Sequence, residues 1–76
     1  MKMREIMKSL MERSDVWTQN KVASRIGLSS QAMSNRMNAR DAKAGFAVEV
    51  LETMGYQLVV VPLETKLPAG SIVVER

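Results

Sequence analysis

Residues 18–38 read TQNKVASRIGLSSQAMSNRMN, and the fold turns on how that stretch is understood. Thr18 suits a helix N-cap, because its hydroxyl can accept from a free backbone N–H in the first turn of a helix that begins at Gln19. Val22, Ala23 and Ile26 then fall at i, i+1 and i+4, which makes an inward face. Gly27 stands where a left-handed residue ends a helix at least cost, and Leu28 anchors the turn. Ser29 is a second N-cap. It opens a helix from Ser30 to about Met37, with Met33 and Met37 as the buried row and Ala32 small enough for close approach. The stretch predicts two short helices, about 19–26 and 30–37, separated by a tight turn.

The other face of the second helix carries Ser30, Gln31, Ser34 and Asn35, spaced to form one exposed polar strip. Two readings fit such a strip. Most polar helix faces are merely solvated. This one, however, holds no Glu or Lys, the usual residues of a solvated surface, and its Gln and Asn amides can donate and accept together, as reading adenine N6 and N7 requires. Serine at the N-terminal end also suits a helix that points its first turn at phosphates or base edges.

Moving outward towards the N-terminus, Met3, Ile6, Met7, Leu10 and Met11 lie along one helical stripe, and the charged residues of this segment lie mostly elsewhere. A methionine-rich stripe can be an adaptable binding surface, but at this spacing a core face is the simpler reading. Ser14 to Trp17 connects the two segments, with Val16 and Trp17 expected to fold back over the first helix. In the other direction, Asp41 to Gly45 leaves two starting points for a fourth helix, either capped by Asp41 or beginning nearer Gly45. Phe46, Ala47, Val50, Leu51 and Met54 then mark its inward stripe, and Gly55 ends it. Glu49 and Glu52 resemble an acid–base pair only in type. With no histidine or metal-ligand set beside them, they read as solvated carboxylates.

After Gly55 the composition changes. Tyr56 to Pro62 is β-branched, aromatic and nearly apolar on both faces, and Ser71 to Glu75 is a second run of the same kind. The expectation is a C-terminal β-hairpin with strands about 56–62 and 71–75, joined through Leu63 to Gly70. Two strands alone are marginal in water, and strands apolar on both faces need cover on both. A symmetric dimer is therefore expected, with Tyr56, Leu58, Val59, Val60, Val61, Ile72, Val73 and Val74 in its interface.

Composition narrows the function. The chain has 76 residues, enough for one domain that buries only about 60 to 65 per cent of its unfolded surface. It contains no cysteine and no histidine, which removes disulfides, thiolate chemistry and the usual zinc sites. The charged N-terminus lacks a signal-peptide apolar region, and no run approaches the ~20 apolar residues of a membrane span. The net charge of +3 lies wholly in residues 1–54. Between Gln19 and Lys43 it is concentrated in Lys21, Arg25, Arg36, Arg40 and Lys43, opposed by Asp41 alone, a pattern that suits either a polyanion partner or an ordinary solvated surface.

Residues 18–34, T-Q-x-x-V-A-x-x-I-G-L-S-S-x-x-M-S, resemble the helix-turn-helix of the Cro and lambda-repressor type (Xre-like) of transcriptional regulators. The resemblance extends over Met3 to Met54 and is most specific at Gln19, Ala23, Gly27, Leu28, Ser29 and Met33. It implies that Ser30, Gln31, Ser34 and Asn35 read bases in the major groove, that Gln19 contacts a phosphate and braces the recognition helix, and that Asn38 holds a second phosphate. Lys21, Arg36, Arg40 and Lys43 would then be further backbone contacts, which fix register without specifying sequence. Ala39 departs from the glycine that the family often places after that asparagine.

Together these readings predict a mainly α fold with a C-terminal β-hairpin: a four-helix, bundle-like domain over residues 1–55 and a dimerising hairpin over 56–76 of the same single domain. The implied function is a sequence-specific regulator of double-stranded DNA. It would be a homodimeric repressor or autorepressor occluding a pseudo-palindromic operator, similar to small Cro-like proteins of phages or mobile elements. Such a protein would work in the bacterial cytoplasm on the nucleoid. No enzyme activity, cofactor, metal, membrane or small-molecule ligand is expected. The alternative is a protein-interaction module, antitoxin-like or inhibitory, that uses the apolar C-terminal hairpin against a different protein.

Overall fold

The computed structural model describes residues 2–40 and 42–74. Within them the chain forms α1 (Met3–Arg13), α2 (Gln19–Arg25), α3 (Ser30–Met37) and α4 (Ala44–Thr53). The first helix packs on α4, and α2 packs on both α3 and α4. Their inward stripes meet in one core made of Ile6, Met7, Leu10 and Met11 from α1, Val22 and Ala23 from α2, Met33 and Met37 from α3, and Phe46, Ala47, Val50 and Leu51 from α4. Trp17, Ile26, Leu28 and Met54 are half-buried around it. Val16 does not fold back with Trp17; it is 60% exposed. Ser14 sets that turn, its Oγ accepting from the backbone N–H of Val16 at 3.2 Å and of Trp17 at 2.8 Å, which turns the Trp17 ring inward and leaves Val16 outside.

Two helix ends share one device. After α2, the Leu28 N–H donates to the Ala23 carbonyl at 2.8 Å and the Gly27 N–H to the Ser24 carbonyl at 3.3 Å, with Gly27 at φ +79°. After α4, Tyr56 donates to Leu51 at 2.8 Å and Gly55 to Glu52 at 3.0 Å, with Gly55 at φ +90°. This is the Schellman arrangement, in which a left-handed glycine lets the chain reverse while the last carbonyls keep donors. The third helix ends differently: Ala39 is not among the residues with positive φ, and its N–H donates to Arg36 at 3.4 Å. The fourth helix starts after Lys43, which offers no side-chain cap, and Gly45 lies inside it. The Asp41 cap falls outside the described residues.

The C-terminal hairpin is not formed. Among the described residues there is no strand, and the structure is all-helical up to Gly55. The strands expected over 56–62 and 71–74 are absent among the described residues, and Glu75 lies outside them. The cause is legible in the residues themselves. A run apolar on both faces has no alternation to fix a register, and an eight-residue connection supplies no tight hairpin turn. Instead the connection makes two separate turns, Thr65 N–H to Pro62 O at 3.3 Å and Ser71 N–H to Pro68 O at 3.2 Å, with Glu64 at φ 69° and Gly70 at φ 85°. The segment lies over α1 and α4, leaving a cavity of about 210 Å³ lined by Met3, Ile6, Leu10 and Leu51 below and by Tyr56, Leu58, Ile72 and Val74 above. Every residue from 56 to 74 is exposed.

Candidate nucleic-acid interface

The second and third helices are set against each other by local bonds that their own sequences supply. Thr18 Oγ1 accepts from the Lys21 N–H at 3.2 Å, and Ser29 Oγ accepts from the Ala32 N–H at 3.1 Å, so each helix opens on a side-chain cap. The complete burial of Met33 and Met37 then fixes the rotation of α3. What faces outward is determined by that rotation. Ser30, Gln31 and Asn35 are exposed and Ser34 is half-buried, all on one strip.

The strip is hydrogen-bonded along its length. Gln31 Nε2 donates to Asn35 Oδ1 at 3.2 Å, Ser30 Oγ donates to Asn20 Oδ1 at 3.2 Å, and Asn38 Nδ2 donates to Ser34 Oγ at 3.3 Å. Exposed bonds of this kind hold side chains in place for little net energy, and each leaves further donors and acceptors for a ligand. The tie between α2 and α3 comes from Asn20. Gln19, to which bracing was assigned, is half-buried in a shallow depression with Lys8, Met11, Glu12 and Thr18. Asn20 carries no signal of its own in the sequence, since only the packing of α2 on α3 shows that this amide, and not its neighbour Gln19, faces Ser30.

Basic side chains stand on the α4 side of α3 and at the strip's C-terminal end. On the α4 side the Arg36 guanidinium lies over the Phe46 ring, 5.9 Å from its centroid, and Arg40 and Lys43 follow, both exposed. Residues 36 and 38 are about 200° apart round a helix, so Asn38 looks the opposite way. There it meets α1: Lys8 Nζ donates to Asn38 Oδ1 at 3.1 Å, and Arg4 Nη1 donates to the Asn38 carbonyl at 3.4 Å. Arg4 and Lys8 carried no sequence signal for this surface, since the contact spans 30 and 34 residues of chain. Lys21 is exposed on α2, and Arg25 is stacked at 5.9 Å over Trp17.

Among the described residues, no group of three or more His, Cys, Asp or Glu side chains is placed to hold a metal ion. Nor is any helix there long and apolar enough to cross a membrane. In comparisons with protein-family models, curated proteins and solved structures, the chain matches none of them.

Proposed function

We propose that this chain is a sequence-specific binder of double-stranded DNA, a dimeric transcriptional regulator of the helix-turn-helix kind that represses by occluding a pseudo-palindromic operator in a bacterial cytoplasm. The observation that carries the proposal is the strip Ser30–Gln31–Ser34–Asn35 on a capped helix after a glycine turn, with the exposed cations Arg36, Arg40 and Lys43 at the end of α3 and after it. Short polar side chains that donate and accept suit base edges, and cations at their border suit the phosphates that line the groove. In this reading Ser30, Gln31, Ser34 and Asn35 read bases, while Gln19, Lys21, Arg36, Asn38, Arg40 and Lys43 serve the backbone. The test is titration of duplex DNA over a range of salt. Tight binding that weakens steeply as salt rises is expected. A chain that leaves duplex DNA unbound at low salt is not such a regulator.

Dimerisation is supported by surface left over. The chain exposes 5891 Å², whereas a compact chain of this mass exposes roughly 4,700 Å². Its radius of gyration of 12.7 Å likewise exceeds the roughly 11 Å of a compact 76-residue domain. The excess, roughly 1,200 Å², is more than the ~800 Å² that each partner buries in an interface of standard size. It is apolar in kind: Val60 is 99% exposed and Leu63 95%. In a dimer the Tyr56–Val61 and Ile72–Val74 segments would cover one another, and two copies of α3 would sit about 34 Å apart in successive major grooves. The same exposed segment favours a second reading, a module that binds a different protein. Sedimentation of the pure chain separates the two, because a stable homodimer is expected from the first and a monomer from the second.

A further inference from the structure

We propose that Arg4 and Lys8 of α1, together with Asn38 at the end of α3, form a binding site for one phosphate of the duplex backbone. The first helix would then grip DNA directly and not only support the helices that read it. This deepens the DNA-binding proposal and rests on it.

Arg4 and Lys8 are four residues apart, so their side chains leave α1 from one face. Both converge on Asn38, Lys8 Nζ at 3.1 Å from its Oδ1 and Arg4 Nη1 at 3.4 Å from its carbonyl oxygen. Neither makes an ion pair among the described residues. Two cations are thus drawn together with only neutral acceptors between them, an arrangement that repels itself until an anion arrives. Lysine has three donors and arginine five, and one bond each leaves most of them unused. A phosphodiester carries one negative charge and two free oxygens, which such a pair can take together.

The position fits a groove edge. Asn38 Nδ2 donates to Ser34 Oγ, so the cluster begins one helical turn beyond the base-facing strip. By helical spacing Asn38 falls on the strip's own face, about 200° round the helix from Arg36. With α3 in a major groove about 12 Å wide, cations at the end where the strip runs out would reach a strand that borders it. The Asn38 carbonyl, at the negative pole of α3, holds Arg4 at the rim, and the Asn38 side chain holds Lys8; the two cations must outweigh that pole to keep a phosphate there.

The test compares Arg4→Gln, Lys8→Gln and the double variant with the wild type on the selected operator and on random duplex, across salt. The double variant is expected to lose affinity by the same factor on both sequences. Over a fourfold rise in salt, wild-type affinity should fall about 3.5-fold more than that of the variant, the difference made by one phosphate contact. Lys8→Arg should retain most of the binding. Unchanged affinity and salt slope in the double variant, with wild type binding normally, would overturn this site alone. A loss confined to the operator would overturn it too, because Lys8 would then act by holding Asn38 and Ser34 for base reading. Failure of the wild type to bind any duplex would instead overturn the DNA-binding proposal, and this one with it.

A second measurement is independent of fold stability. Duplexes carrying a neutral methylphosphonate at one backbone position at a time should show one position to which wild type is sensitive and the double variant is not, every other position keeping its effect. Equal profiles for the two proteins would count against the site. Inorganic phosphate, added at matched ionic strength, should compete weakly and to the same extent for both proteins; strong competition lost in the variant would mean that a free anion is the ligand.

Discussion

Replacing Gln31 by alanine tests the assignment of the polar strip most sharply, because its cost in the free protein and on DNA differ so much. In the free protein Gln31 is exposed, and its only side-chain bond among the described residues is the one its Nε2 donates to Asn35 at 3.2 Å. An exposed i,i+4 pair of this type stabilises a helix by about 0.2–0.5 kcal/mol, so the melting temperature should shift by only a few degrees. On the operator, loss of a bidentate base contact costs roughly 1–3 kcal/mol, a rise in Kd of roughly 5- to 150-fold. On random duplex no base is read and Kd should hold. Asn35→Ala should behave alike. Since each amide positions the other, the double variant should lose less than the sum of the two single losses. Fluorescence anisotropy with a labelled operator and a scrambled duplex of equal length measures all of this. Equal weakening on both duplexes would refute the reasoning, because it would place Gln31 at the backbone or in the fold.

Gly27→Ala should destabilise the chain by roughly 1–2 kcal/mol, the cost of a left-handed alanine, although no atom lies within 4 Å of the added Cβ. Gly45→Ala, inside α4 and equally unobstructed, should do the reverse by about 0.5–1 kcal/mol, and thermal melts of the two variants check the pair. Met33→Ala removes a side chain with no exposure at the junction of α3 with the rest of the core, and the expected loss of about 2–5 kcal/mol would unfold much of a small domain, as chemical denaturation would record. Val60→Lys changes a side chain that the single chain leaves almost wholly in water, so it should preserve the helical circular dichroism while shifting sedimentation from dimer to monomer.

The helical part of the fold was legible because its signals are local. Thr18 and Ser29 cap the helices that follow them, Gly27 and Gly55 allow the reversals that end α2 and α4, and the apolar spacing of α1 and α4 names the residues that reach the core. The tail was not legible in the same way. Its β-branched composition suggested strands, but composition expresses a preference for extended backbone and says nothing of a partner for it. Without alternation, tight turn or second apolar surface, the tail lies over α1 and α4 and forms no strand among the described residues. On the candidate interface, the strip on α3 followed from helical spacing and the buried methionines. Arg4 and Lys8 did not, since only the packing of α1 brings them to Asn38. Asn20 was overlooked for Gln19 because sequence alone does not say which of two adjacent amides faces α3.

Selection of bound duplexes from a random pool tests most directly whether two copies of the α3 strip read DNA. The expected result is a pseudo-palindrome whose half-sites are separated by one helical turn, about 10–10.5 base pairs between centres. The same selection with Gln31→Ala should relax the consensus at matching positions in both halves. A pool that returned no consensus, or a single unrepeated half-site, would contradict a dimeric sequence-specific regulator.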